Sequence, residues 1–571
     1  MITAQKALMS GWVFALVNVA ATLGGEAAGR SASDDPLKPP PRGLPWWREA
    51  RFGLFIHWGP VSLKGTEIGW SRGAPIPIEE YDNLYKQFNP TKFNADEWVS
   101  IAKAAGMKYM IFTTKHHDGF CMFDTKQTDY NIMNSPFGRD VVKELAEACR
   151  KGGIAFGTYH SVCDWHHPDF PHGSPGGKPL KPTHNIDRYE QYLKNQVKEL
   201  ITQYGPLLVL WFDVAQDFDA ARGKRVVDFT RSLQPDIIIN NRCANPGDYD
   251  TPEQTVGGFN NTRPWESCIT ICQQWAWKPN DRMKSLKECV RTLVNCAGGD
   301  GNLLLNVGPM PTGQIEPRQV ERLKEMGQWL AQYGQSIYAT RGGPFKPGPW
   351  GASTHKDNTI YVHIYPVDDK DQVLKLPPIR RKIVGSELLT GGTCAVKQTD
   401  EAIEITIPAA CVREIDTLVA LKLDGPAADI QPVRVPSMSD AVSLDKPARA
   451  SNVHQKQAEY GADKAFDDDP GTRWATDGGT HSAWIEVDLG KETVIDRAMI
   501  SEACGERVRK FELQFKEGDA YKTFFKGTTI GEKKPFKFDP VTVRVVRLNI
   551  LEATEGPTIW EFQLFGPKSK P

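Results

Sequence analysis

The sequence predicts a multidomain chain: a (β/α)8-like barrel, then an antiparallel β-sandwich, then a β jelly-roll. Three observations carry that prediction. Through about residue 340, short apolar runs alternate with helical stretches, the grammar of a parallel α/β fold. The run Leu207-Leu208-Val209-Leu210-Trp211-Phe212 is apolar throughout, as a parallel strand buried on both faces must be, and it ends in the carboxylate Asp213. Beyond about Ser336 the period changes to two, in Thr359-Ile360-Tyr361-Val362-His363-Ile364 and Ala402-Ile403-Glu404-Ile405-Thr406-Ile407, which reads as antiparallel strands.

Taken in order, the chain opens on Lys6, an apolar run from about Gly11 to Leu23, and then small residues including Ala27 and Ala28. This predicts a secretory signal peptide over 1–30, too short to span a membrane, and hence an exported protein. A Pro-rich linker follows over 31–45. The barrel is expected over 46–337. Its strands are predicted at Phe52–His57, Tyr109–Thr114, Ile154–Tyr159, Leu207–Asp213, Asp236–Arg242, Ser267–Ile271 and Asn302–Val307. Helices intervene near Asn94–Ala105, Asp140–Arg150 and Ile186–Tyr204. Seven strands are visible, so closure is inferred rather than counted. The sandwich is expected over 338–425, a linker with Pro426, Pro432 and Pro436 over 426–442, and the jelly-roll over 443–566.

Composition narrows the function. Lys plus Arg number 69 against 70 Asp plus Glu, which leaves no basic stripe for nucleic acid and no polybasic membrane patch. The 16 Trp residues offer flat apolar faces that suit sugar rings. Eleven Cys without a C-x-x-C pair form no disulfide framework and read as buried thiols. No glycine-rich phosphate loop follows any strand.

Chemistry falls at the downstream ends of the strands. His57, His116 with His117, His160, Asp213 and Arg242 each close a different strand, and in a barrel those ends share one rim. Asp213 is the candidate nucleophile. A second carboxyl could protonate a leaving oxygen. Glu266, in Pro264-Trp265-Glu266-Ser267, has the apolar setting that raises an acid's pKa, and Glu253, in Thr251-Pro252-Glu253-Gln254, is its rival. The pairs His116-His117 and His166-His167 could ligate a metal, but no His-Glu-x-x-His spacing accompanies them.

Phe55-Ile56-His57-Trp58-Gly59, Thr114-Lys115-His116-His117-Asp118-Gly119-Phe120, Tyr159-His160-Ser161 with Asp164-Trp165, Trp211-Phe212-Asp213 and Trp265-Glu266 occur in this order. Together they resemble glycoside hydrolase family twenty-nine, the retaining α-L-fucosidases, over about Trp46 to Leu423. The resemblance implies Asp213 as nucleophile and Glu266 as acid/base. It also implies a fucose pocket of His57, His116, His117, Tyr159, Trp211 and Arg242, with Phe55 and Trp211 over the sugar's methyl and apolar face. The implied partner is a glycan with terminal fucose, and no cofactor is implied for catalysis. Two runs depart from the family pattern: Val214-Ala215 after Asp213, where Gly is frequent, and Gln274-Trp275-Ala276-Trp277. The alternatives are a catalytically silent glycan-binding protein and a relative that removes another sugar.

The last block, with Ala465-Phe466-Asp467-Asp468-Asp469-Pro470-Gly471-Thr472-Arg473-Trp474 and Ile559-Trp560-Glu561-Phe562, resembles a discoidin or coagulation factor type C domain. By that resemblance a structural Ca2+ would take Asp467, Asp469, Thr472, Glu561 and a backbone carbonyl near Lys464.

Overall fold

The structure is a computed structural model that describes residues 43–175, 180–366, 371–436, 439–469 and 471–567. The expected signal peptide and nearly all of the first linker lie outside the described residues. The chain divides into two compact units between Pro436 and Ser437.

In the first unit, seven parallel strands form the barrel sheet: β1 (Phe52–Ile56), β2 (Tyr109–Lys115), β3 (Ala155–Ser161), β4 (Val209–Asp213), β5 (Ile238–Ile239), β6 (Glu266–Thr270) and β7 (Asn302–Val307). Their order is β5-β4-β3-β2-β1-β7-β6. The strands are buried almost throughout, which explains why each reads as an apolar run rather than an alternation. The gap between β5 and β6 is filled by residues 249–253. Tyr249 bridges to Asn240, Asp250 to Trp265 and Glu253 to Cys268, all in parallel sense. This broken eighth stave closes the barrel, and the sequence does not announce it because it has no apolar run.

The predicted strand Asp236–Arg242 shrinks to two residues for a local reason. The Asn240 side chain takes over the ladder: its Oδ1 accepts from Phe212 N at 2.9 Å and its Nδ2 donates to Phe212 O at 2.8 Å. The backbone is thereby freed to turn, and Arg242 leaves the sheet. Five of the helices outside the sheet begin on side-chain caps that satisfy their first amides, Asn94, Asp140, Asn185, Asp219 and Ser285, the last as a capping box with Glu288.

The same unit continues into two antiparallel sheets. One has the order β12-β15-β10-β9-β8, from β8 (Arg341–Gly342), β9 (Gly351–Lys356), β10 (Thr359–Ile364), β12 (Ile383–Leu388) and β15 (Thr417–Leu423). The other is β11 (Gln372–Leu376), β14 (Ile403–Ile407) and β13 (Ala395–Gln398). Their inward residues, such as Ile360, Val362, Leu374, Ile405 and Leu421, share one core. Buried Asp300 fastens this sandwich to the barrel floor. Its carboxylate accepts from Arg48 at 2.9 Å and Arg51 at 2.6 Å, and also from Arg341 at the start of β8.

The second unit is a β-sandwich built on two 20-residue strands, β18 (Ala483–Glu502) and β21 (Lys534–Ala553). Their pairing shifts register between Asp488 and Thr493 and again between Ile495 and Arg497, bulges that let one strand pair serve both layers. The strands β16 (Ala448–Ala450), β17 (Trp474–Ala475), β19 (Val508–Glu517), β20 (Ala520–Gly527) and β22 (Thr558–Phe565) complete it around Trp474, Ile485, Phe511, Leu548 and Phe562. Eight of the eleven cysteines are buried, and all are free thiols.

Candidate active site

A cleft of about 390 Å³ opens at the downstream rim of the barrel strands. It is lined by Phe55, His57, Trp70, His116, His117, Tyr159, Trp211, Asp213, Val214, Arg242, Glu253, Cys268 and Trp275. The register explains the convergence. Asp213, the last residue of β4, pairs with Ser161, the last of β3, and Trp211 pairs with Tyr159. His116 and His117 lie beyond the end of β2 at Lys115, so strand alternation no longer forces them apart, and both rings reach the cleft.

Arg242 ties the site together. Its Nη1 donates to Asp213 Oδ1 at 3.0 Å and to Glu253 Oε2 at 2.8 Å. Thr251 fixes the other edge of the guanidinium, accepting from Nε on its hydroxyl at 2.7 Å and from Nη2 on its carbonyl at 2.9 Å. The guanidinium also lies 4.8 Å from the Trp211 ring centre, a cation–π contact. Because one nitrogen serves both carboxylates, the two bonded oxygens, Asp213 Oδ1 and Glu253 Oε2, lie within about 6 Å of each other. Tyr159 donates its hydroxyl to Asp213 Oδ2 at 2.8 Å. Burial alone would raise the Asp213 pKa, yet the Arg242 guanidinium, helped by the Tyr159 hydroxyl, holds it below the usual carboxylate value.

The hydrogen-bond network assigns the histidine tautomers. Asn306 Nδ2 donates to the Trp275 carbonyl at 2.8 Å, so its Oδ1 faces His57 Nδ1 at 2.7 Å and receives that ring's proton. Ser161 Oγ donates to the Cys163 carbonyl and therefore accepts from His117 Nδ1, each at 2.7 Å. Both rings, when neutral, present a bare Nε2. His117 Nε2 sits 3.6 Å from Asp213 Oδ2, two acceptors side by side that call for a donor such as a sugar hydroxyl between them. Burial pushes His57 and His117 down to about 4 and His116 well below the usual imidazole value. With His117 neutral, Arg242 is the cation that keeps Asp213 ionised. His116 stacks parallel on Tyr159, ring centres 5.5 Å apart. Gly69, at φ +67°, leaves it room: a Cβ there would come within 2.6 Å of His116 Nδ1. His160, the remaining strand-end histidine, is a structural group bonded to Thr114 and Gln196.

Glu266 does not join this site. It is the first residue of β6, at the upstream end where the barrel is closed, and it is fully buried. Tyr109 donates its hydroxyl to Glu266 Oε2, while Trp47, Trp211 and Tyr249 turn further donors toward the carboxyl without reaching hydrogen-bond geometry. Burial raises its pKa to about 7, as a catalytic acid would need, but the carboxyl does not line the cleft at the downstream rim. The expectation that Glu266 stands opposite Asp213 is therefore corrected: the carboxylate opposite Asp213 is Glu253, on the stave the apolar pattern does not reveal.

Sequence reading also missed Trp70, Val214 and Trp275 as lining, and Glu67 behind them. The Glu67 carboxylate accepts from the amides of Trp275 at 3.0 Å and of Ile68 and Ala276, each at 3.1 Å. It thus pins the loop after β1 to the loop after β6. The available signal was position: both loops leave the downstream ends of strands. His166 stacks on Tyr130 at 4.0 Å and His167 packs tilted against Tyr192 at 4.1 Å, instead of converging.

In the second unit, Thr472 Oγ1 lies 2.8 and 2.9 Å from the two carboxylate oxygens of Asp467 and 3.4 Å from the Lys464 carbonyl. Among the described residues, no three acidic or His/Cys side chains already converge at metal-ligand spacing. Glu561 nevertheless fits a cation. Both of its oxygens are buried without a hydrogen-bond donor, and burial, followed by the charges of Asp467, Asp468 and Asp469, raises its pKa to about 9.

The neutral state assigned to the imidazoles is directly measurable. In protein carrying 15N-labelled histidine, the resonances of His57 and His117, assigned by single substitution, should report an Nδ1-protonated neutral ring at pH 6. They should take up a second proton only near pH 4; titration near pH 6.5 would contradict the assignment.

Sequence comparison places these features among known proteins. The family described as Alpha-L-fucosidase matches residues 32–335, and the F5/8 type C domain matches residues 447–562. Human plasma alpha-L-fucosidase is 30% identical over 364 residues, covering 56% of this chain and 76% of that protein. Alpha-L-fucosidase isoenzyme 1 from Paenibacillus thiaminolyticus superposes with TM-score 0.61 at 34% identity, covering 66% of this chain and 98% of that one. A Bacteroides thetaiotaomicron alpha-L-fucosidase, trapped as a covalent intermediate with 2-fluoro-fucosyl fluoride in a Glu→Gln mutant, superposes with TM-score 0.61 at 26% identity, covering 70% of this chain and 98% of that one. On the matched family, the relatives and the rim geometry together, the chain belongs to the alpha-L-fucosidase family, glycoside hydrolases, and carries an F5/8 type C domain after its catalytic unit.

Proposed function

We propose that this α-L-fucosidase is an exo-acting, retaining enzyme in which Asp213 is the nucleophile and Glu253 the acid/base. The observation that carries the reading is the shared Arg242 nitrogen, which brings two carboxylates together at one cleft, an arrangement compatible with a double displacement. In the first step an Asp213 oxygen bonds to the anomeric carbon while the bond to the leaving oxygen breaks, and Glu253 gives that oxygen its proton. In the second, Glu253 takes a proton from water, the water oxygen bonds to the anomeric carbon from the opposite side, and the Asp213 ester breaks. Two inversions retain configuration. Glu253 is suited to both roles because its side chain is 43% exposed, at the mouth where leaving group and water pass.

The cup behind Asp213 fits fucose as substrate. His57 and His117 offer fixed acceptors to hydroxyls. Phe55 stands 5.3 Å from Trp211 and 5.9 Å from Trp275, ring to ring, an apolar wall for the methyl group. The covalent intermediate trapped in the Bacteroides relative supports the nucleophilic route. The acidic loop of the second unit with buried Glu561 supports a structural Ca2+ held by Asp467, Asp469, Thr472, Glu561 and the Lys464 carbonyl. The apolar run near the N-terminus supports export. No helix of the described residues is long and apolar enough to cross a membrane.

Three measurements test this. Glu253→Gln should lower kcat/KM on an aryl α-L-fucoside with a poor leaving group by about 10²–10⁴-fold and spare a substrate with an activated leaving group, while Glu266→Gln retains this leaving-group profile near wild type; the reverse pattern would restore Glu266 as the acid. Asp213→Gly should be inactive until azide is added. For the second unit, chelation with EGTA should lower its melting temperature in the intact chain, and Ca2+ should restore it. Glu561→Gln should abolish that response, and an unchanged transition would remove the calcium site.

A further inference from the structure

Val214, the residue after Asp213, adopts φ +44°. Left-handed backbone is unusual for any L-residue and a genuine outlier for a β-branched one, so this position is strained. The surroundings over-determine it. On one side the Asp213 carbonyl is held by Val162 N at 2.9 Å, and the preceding Phe212 by the Asn240 amide. On the other, the loop is tied down within three residues: Gln216 Oε1 accepts from Trp165 Nε1 at 3.4 Å, and Asp217 pairs with His172 at 3.0 Å. The chain must turn at Val214 to join the two anchors, and glycine would make that turn freely.

The side chain that glycine would lack lines the cleft. The cleft is graded in depth. Its imidazoles, Phe55 and Trp211 are buried and form the floor, whereas Trp70, Val214 and Arg242 are half-buried and Glu253 is exposed. A terminal sugar that fills the floor sends its leaving group past these rim residues. Two of the four are apolar, an indole and an isopropyl group.

We propose that Val214 is a specificity-determining residue: its strained backbone places an apolar wall beside the nucleophile, which with Trp70 selects leaving groups that present an apolar face, either the C–H face of a pyranose or an aryl ring. This rests on the fucosidase reading of the same cleft and adds the chemistry of its mouth. Strain that costs stability persists here because the wall it positions discriminates among leaving groups.

The test compares wild type, Val214→Ala and Val214→Gly on 4-nitrophenyl α-L-fucoside, whose aryl group crosses the rim, and on α-L-fucosyl fluoride, whose one-atom leaving group does not reach it. The ratio of kcat/KM for the aryl substrate to that for the fluoride should fall by about five- to tenfold in both variants. Val214→Gly should melt above Val214→Ala, the opposite of their order at an ordinary position, where glycine is the less stable. A ratio within twofold of wild type in both variants, or glycine melting below alanine, would overturn the proposal. A wild type inert toward fucosyl fluoride would instead overturn the fucosidase reading, and this proposal with it.

Discussion

One guanidinium organises the catalytic unit. Arg242 is clamped by Thr251, laid on Trp211, and shared between Asp213 and Glu253. Without it, Asp213 would be a carboxylate at the end of a buried strand, beside three imidazoles that burial keeps neutral. Desolvation would then favour the protonated acid, which cannot attack an anomeric carbon. A single fixed cation keeps the nucleophile charged while the rest of the cup stays uncharged and ready to hydrogen-bond hydroxyls. Arg rather than Lys fits this post, because five donors in one plane can meet two carboxylates and the Thr251 hydroxyl and carbonyl together.

Glu253 and Glu266 show that a carboxyl's surroundings and its address are separate requirements. Glu266 has the raised pKa of an acid, produced by burial among Tyr109, Trp47, Trp211 and Tyr249, yet it faces the barrel floor. It stands at the opposite end of the barrel strands from the chemistry, as the first residue of β6. Glu253 is ordinary in its exposure and placed where substrate passes. For catalysis, position decides.

Much of the barrel was legible because buried parallel strands must be apolar runs, and β1 to β4 and β7 fall where such runs occur. The rim could be read from the same strands, since His57, His116, His117, Asp213 and Arg242 each follow one. What failed did so where side chains replace backbone pairing. Asn240 substitutes for the end of the β5 ladder, so the predicted strand is cut short, and the stave at 249–253 pairs only through isolated bridges and leaves no hydrophobic signature. Glu266 was misplaced by local chemistry, although its place at the head of a strand already put it at the wrong end of a barrel. Glu67 was invisible and Val214 showed only as a departure from the family pattern, for another reason: their importance lies in contacts across loops and in a backbone angle, neither of which has a sequence period.

The most direct test of the account labels the nucleophile. Glu253→Gln enzyme incubated with 2-deoxy-2-fluoro-α-L-fucosyl fluoride should accumulate one fluorofucosyl adduct by intact mass, and peptide sequencing should place it on Asp213. An adduct on any other carboxylate, or none under conditions in which the fluoride is consumed, would contradict a double displacement centred on the Arg242-bound aspartate.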